Sequence, residues 1–251
     1  MLTGDLSGVI WAVLALALGG VLKGATGAGA PIIAVPVIAL FHDVPTAVVT
    51  LVLPNFFSNT WQSWTYRKDI PEGAFAWAFA GAGLAGALAG TVMLASFTPQ
   101  ILLLMVAGVV FLYIAFRLAR PGWRLPFETA RRIVLPAGLA AGILQGATGV
   151  SAPISITFLN AIGFERRVFI GTISIFFLAM TFIQIPLMIG YGMLTPHLAL
   201  LSATAILPIL AGMPVGAALA QRIPREVFDK VILALLAVVA ARLAWSALAS
   251  F

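Results

Sequence analysis

The chain has 251 residues, of which 62% are hydrophobic and only 9% charged, with a net charge of +6. A soluble domain is about 25% charged, so this chain has too few charges to cover a core in water and reads as a polytopic membrane protein. Its 14 basic residues lie in short clusters between apolar stretches, the pattern of membrane orientation and not of a nucleic-acid-binding face. With no cysteine, disulfides, thiolate metal sites and cysteine nucleophiles are excluded.

Met1 to Gly8 contains Asp5 and no basic residue. It lacks the positive region of a signal peptide and is read as part of the mature structure. Proline, glycine and charge then divide the chain into ten apolar segments: 6–22, 31–41, 45–66, 71–96 and 99–119, then 132–145, 153–163, 168–190, 195–221 and 226–249. About 20 residues cross a bilayer core, so the third, fourth and fifth segments of each set are long enough to span. The first two of each set are short, and a glycine-rich break lies between them.

That break occurs twice. Gly24-Ala25-Thr26-Gly27-Ala28-Gly29-Ala30-Pro31 returns as Gly146-Ala147-Thr148-Gly149-Val150-Ser151-Ala152-Pro153, 122 positions later. At the same offset Gly20 pairs with Gly142, Thr50 with Thr172 and Gln62 with Gln184. After a small gap, Gly86 and Gly90 pair with Gly212 and Gly216, Pro99 with Pro224, and Arg117 with Arg242. The expectation is an all-α membrane protein of two repeats, residues 1–119 and 132–251, joined by a linker at 120–131.

Charge orients the repeats. If each pair of short segments enters and leaves on one face, one side collects Arg67, Lys68, Arg117, Arg120, Arg124, Arg131, Arg132, Arg166, Arg167, Arg222, Arg225 and Lys230. These are 12 of the 14 basic residues, which makes that side cytoplasmic. Asp5, His42, Asp43 and His197 fall opposite, and both termini lie outside. Each repeat then has a broken, re-entrant helix pair plus three full crossings, and the two copies have inverted topology. A competing count treats 6–41 and 132–163 as one crossing each, which makes the repeats parallel and scatters charge over both faces.

Glycine admits conformations that end a helix, and proline suits the first turn of the next one, so the sequence specifies helix, break, helix beginning at Pro31 or Pro153. Unpaired amides in lipid cost several kcal/mol each, so such a break survives only inside protein or beside a wet cavity. Its free amides and the positive end of the following helix suit an anion. The hydroxyls of Thr26, Thr148 and Ser151 add donors there. The spacing of Gly86/Gly90 and Gly212/Gly216 reads instead as close helix packing.

Lys23 stands immediately before the first break, where the second copy has Gln145. An intramembrane charge is a functional candidate, yet a lysine there is also able to snorkel to the interface. Asn55, Asn59 and Gln62 share one face of the third segment beside Pro54, and Thr181 and Gln184 hold the matching positions, with Ser174 two turns back. Asn59, Gln62 and Gln184 are candidate donors to a polar oxyanion, weighed against ordinary hydrogen bonding between helices. Trp61, Trp64 and Tyr66 read as interfacial anchors. No catalytic constellation is visible, and neither a metal site nor a cofactor is called for.

The repeated G-x-x-G-x-G/S-x-P break, the two-repeat hydrophobic chain and the short basic loops resemble the TauE/SafE family of sulfite exporters, also called TSUP anion permeases. The resemblance implies a bacterial inner-membrane, multi-pass carrier of sulfite, of sulfonates such as sulfoacetate, or of related small anions, with Gly24, Thr26, Gly27 and Gly29, and Gly146, Thr148, Gly149 and Ser151, lining the anion site. The function expected is secondary transport by alternating access, without enzymatic activity. The rivals are a passive anion channel and a membrane-embedded enzyme or assembly factor. Partners are the anion and the lipid bilayer, not nucleic acid; a coupling ion, H+ or Na+, and a homodimer stay open.

Overall fold

A computed structural model describes residues 6–70, 74–120, 122–222 and 225–248. Asp5, Pro224 and the side chains of Arg225 and Lys230 lie outside the described residues. The described regular structure is helical: α1 (Leu6–Thr26), α2 (Ala30–Ala39), α3 (Val44–Thr65), α4 (Ala74–Ser96), α5 (Pro99–Ala119), α6 (Phe127–Thr148), α7 (Ser155–Ile162), α8 (Arg166–Gly190), α9 (Pro196–Thr204), α10 (Ile206–Arg222) and α11 (Arg225–Leu248). Proline sets many of the starts. Pro31, Pro45, Pro99 and Pro196 each sit in a first turn, where their missing N–H costs nothing. Asp43 Oδ1 accepts the Thr46 N–H at 2.6 Å and Thr195 Oγ1 accepts that of Leu198 at 3.3 Å, capping α3 and α9.

Three boundaries depart from the sequence reading. First, α1 and α6 are not short: they run 21 and 22 residues, through Thr26 and Thr148. Gly24 and Gly146 therefore belong to a last helical turn, and the breaks proper begin at Gly27 and Gly149. Second, α7 starts at Ser155, after a turn over 152–154, and not at Pro153. Third, segment 195–221 is two helices, because Pro208 has no N–H for the Thr204 carbonyl and crowds it.

Five described stretches are long and apolar enough to cross a membrane: Gly8–Thr26, Ala74–Ser96, Pro99–Ala119, Arg166–Gly190 and Pro196–Ala220. α3 has the length, at 22 residues, but its run of Asn55, Ser58, Asn59 and Gln62 lowers its hydropathy. Large apolar side chains face outward, as lipid contact requires: Trp61, Phe182 and Trp245 are each 70% exposed or more.

The helices pack in pairs across the two halves of the chain: α4 against α6, α1 against α10, and α3 against α8. Glycines set the first two contacts, as the spacing of Gly86/Gly90 and Gly212/Gly216 suggests. A Cβ on Gly86 or Gly90 collides with the α6 backbone at Leu139 and Ile143, and one on Gly212 or Gly216 with the α1 backbone at Ala17 and Val21. The backbones touch, so dispersion replaces a hydrophobic driving force that lipid does not provide. Pro54 withholds an N–H from the Thr50 carbonyl inside α3. Ser202 of α9 repairs this: its hydroxyl donates to Thr50 O at 3.0 Å and accepts the Leu53 N–H at 3.2 Å.

Contacts also fix how the broken segments run. A Cβ on Gly19 meets Ala30, and one on Gly8 meets Phe41, so α2 descends antiparallel to α1 and ends beside its start. At the other break the Leu125 N–H, just before α6, donates to Ala161 O near the end of α7 at 2.8 Å. Arg124 likewise lies against Gly163. Arg166, just past α7, donates to Gly24 O and Ala25 O at the far end of α1 at 3.2 and 3.3 Å. Beside it Arg167 forms a bidentate pair with Asp69 at 3.0 and 3.1 Å.

Candidate functional site

Each break is held by its own threonine. Thr26 Oγ1 lies 2.8 Å from Leu22 O and 2.6 Å from Ala28 O, and accepts the Ala28 N–H at 3.4 Å. Thr148 repeats this with Leu144 O at 2.7 Å, Val150 O at 3.3 Å and the Val150 N–H at 3.2 Å. Both hydroxyl protons are thus engaged within the break. What each break does leave open is main chain. The buried N–H groups of Gly29, Ser151 and Ala152 find no acceptor among the described residues, and such groups are rare because the cost of leaving them unpaired is large.

The backbone explains why the two breaks differ. Gly27 and Gly29 have φ of 85° and 102°, and Gly149 has 72°. Ser151 takes the place of Gly29, and a side chain disfavours that left-handed conformation. The second chain path therefore uses an additional turn before α7. There Ser155 Oγ donates to Ser151 O at 3.0 Å, and the two hydroxyls lie 3.0 Å apart.

Gly24 and Gly146 also serve packing, since a Cβ on either collides with backbone, at Met213 and at Ala87 and Thr91 respectively. Gly27 lies against Ile170 at the start of α8, and Gly149 against Val48 at the start of α3 and Val35 of α2. These contacts are reciprocal: Gly149 is 122 positions after Gly27, and Ile170 is 122 after Val48.

The amide and hydroxyl stripes meet where α3 crosses α8. Asn55, Ser58, Asn59 and Gln62 of α3, and Thr172, Ser174, Thr181 and Gln184 of α8, are all buried. Ser174 Oγ donates to Gln62 Oε1 at 3.3 Å. Asn55, Thr181 and Gln184 join Gln145 of α6 and Gly149 around a narrow cavity with room for about one water. Lys23 does not snorkel. It is 1% exposed and donates from Nζ to Asn59 Oδ1 at 2.7 Å.

Within this belt Asn59 Nδ2, Gln145 Oε1, Thr172 Oγ1 and Gln184 Nε2 are buried without any hydrogen-bond partner. Native interiors tolerate few such groups, and those they hold are commonly satisfied by a bound water or ligand. The stripes on α3 and α8 pointed to Asn59, Gln62 and Gln184. Thr172 was visible only as a repeat match and Gln145 only as the residue opposite Lys23, because neither gains meaning until α1, α3, α6 and α8 are assembled.

A bundle of long apolar helices enclosing a buried polar belt defines a polytopic helical membrane protein. The family model described as "Sulfite exporter TauE/SafE" matches residues 12–243. The chain belongs to the TauE/SafE sulfite exporter family, and transmembrane transport of the sulfite-exporter type follows from that membership. No curated protein and no solved structure matches the chain.

Proposed function

We propose that the chain is a secondary transporter of a small sulfur oxyanion or organosulfonate, binding it between two oppositely directed helix hairpins and moving it by alternating access. In this reading residues 1–119 and 132–251 are inverted repeats joined by 120–131. Each carries a re-entrant pair, α1–α2 or α6–α7. The basic face with Arg67, Arg124, Arg166 and Arg167 is cytoplasmic, and the membrane is a bacterial inner membrane.

The observation that carries the reading is the way the pairs oppose each other. Each pair ends where it began, at Gly8/Phe41 and at Leu125/Ala161. The base of the second, at Arg166, bonds the far end of the first. Gly27 against Ile170 and Gly149 against Val48 are the reciprocal contacts that a two-fold relation between the halves generates. Gly149 of the second break lines the belt cavity, and Lys23, one turn before the first break, bonds Asn59 of the belt. Glycine-interrupted segments at corresponding places in two halves form the substrate sites of inverted-repeat carriers.

Candidate ligands are the main chain at Gly24, Gly27, Gly29, Gly146, Gly149 and Ser151, with Asn59, Gln62, Gln184 and Lys23. Thr26 and Thr148 hold the breaks in shape. The belt cavity is too small for an oxyanion, so a carrier that must open fits better than a standing pore. Flux of isotope-labelled sulfite and sulfonates into proteoliposomes tests the function. Saturable uptake stimulated by trans anion is expected; no anion-dependent flux, or unsaturable flux, overturns it.

A further inference from the structure

The two halves of the belt are not chemically equal, and the inequality is one charge. Lys23 and Gln145 occupy matching positions one turn before their breaks, and Asn59 and Thr181 match opposite them. On the α1–α3 side the ammonium has three N–H groups and one acceptor, Asn59 Oδ1, while Asn59 Nδ2 has none. No carboxylate pairs with Lys23 among the described residues. On the α6–α8 side stand only neutral groups: Gln145, Thr181 and Gln184, with Asn55 reaching across from α3.

A buried charge without a counterion is costly, and it is retained where a partner of opposite sign arrives. The surplus here is of donors plus one positive charge, the complement of an anion. A second negative charge finds no cation in the belt: every other basic residue with a described environment lies outside its buried set.

We propose that Lys23 is the fixed countercharge of the transported anion, restricting the cargo to one net negative charge and seating its anionic end on the α1–α3 side. Asn59 holds the ammonium in the empty carrier and yields it to the anion on loading. The neutral amides of Gln145 and Gln184 hold the other end. This inference rests on the anion-carrier reading above and narrows it from sulfur anions in general to monoanions.

The test uses purified protein in nanodiscs and two probes with the same headgroup, methanesulfonate and ethane-1,2-disulfonate, which carry one and two charges. Binding is read by calorimetry in wild type, Lys23→Gln, Lys23→Arg and the exchange Lys23→Gln/Gln145→Lys. The wild type is expected to bind the monosulfonate at least about tenfold more tightly than the disulfonate. Lys23→Gln loses that binding by a similar factor, while Lys23→Arg and the exchange retain it. Wild-type affinity in Lys23→Gln, or equal affinity for the two probes, overturns the countercharge while leaving the carrier reading intact. Should neither sulfonate nor sulfite bind the wild type, the carrier reading falls and this inference with it. If Lys23→Gln does not fold, the wild-type comparison of the two probes and the Lys23→Arg variant still decide.

Discussion

The first broken pair, α1–α2, and the second, α6–α7, share a frame but not a chemistry. Both end in Gly-Ala-Thr, both use the threonine to tie the break, and both place a left-handed glycine next, Gly27 or Gly149. The first adds Gly29 at φ 102° and starts α2 at once, whereas the second has Ser151, a further turn and a shorter helix. The first carries Lys23 and the second Gln145. The common features shape the break in each pair, and the differing ones, Lys23 against Gln145 and Gly29 against Ser151, make the two sides chemically unequal.

Substitutions that enlarge the shared scaffold have the largest expected effect and strike both pairs alike. Gly24→Leu or Gly146→Leu drives a side chain into the backbone of α10 or α4. Both variants are expected to lose folded, detergent-stable protein, as read by size-exclusion chromatography. Survival of either shows that its helix contact is not needed.

Gly27→Leu and Gly149→Leu come next. Each adds a left-handed side chain, at about 1–3 kcal/mol, to a clash with the opposite half. Abolished anion binding with residual insertion is the expected result. Gly27 faces Ile170 more tightly than Gly149 faces Val35 and Val48, so Gly27→Leu is the more damaging. Wild-type affinity in both makes the breaks purely structural.

Gly29→Ser makes the first break resemble the second. It forces a side chain to φ 102° and is expected to cost about 1–3 kcal/mol, read as a lowered melting temperature. Ser151→Gly, the reverse change, has no such strain to add and is expected to cost less.

Thr26→Val and Thr148→Val keep shape but remove the tie, leaving Ala28 or Val150 without its N–H partner. About 1–3 kcal/mol is expected from each, and equal losses are the mark of a shared scaffold role. Smallest is Arg167→Ala. Its pair with Asp69 is exposed to solvent, and such pairs contribute little to stability, so thermal stability stays near wild type.

Much of the fold was legible because proline and glycine act locally. Pro31, Pro45, Pro99 and Pro196 set helix starts that depend on no distant neighbour. Not every proline behaves so: Pro36, Pro54, Pro136, Pro186 and Pro214 lie inside helices that continue past them. Sequence alone does not separate these from Pro208, because the repair comes from elsewhere, as Ser202 repairs Pro54. The helical extent of Gly24-Ala25-Thr26 is likewise not legible locally, since that turn lies against the Met213 backbone of another helix.

The site was half legible. Amide spacing on α3 placed Asn59 and Gln62 on one face, but the fate of Lys23 depended on which helix stood opposite, and only tertiary packing decided between interface and Asn59. The spacing of Thr26 and Thr148 gives them as donors at the breaks, and the acceptors the structure supplies are carbonyls of their own segments.

The orientation of the two broken pairs is the claim on which the rest stands. The chain has no cysteine, so single cysteines introduced at His42→Cys, beside the base of the first pair, and Glu165→Cys, at the base of the second, report it directly. In intact cells a membrane-impermeant maleimide is predicted to label the first and spare the second until the membrane is permeabilised. Labelling of both from the same side makes the pairs parallel and contradicts the account.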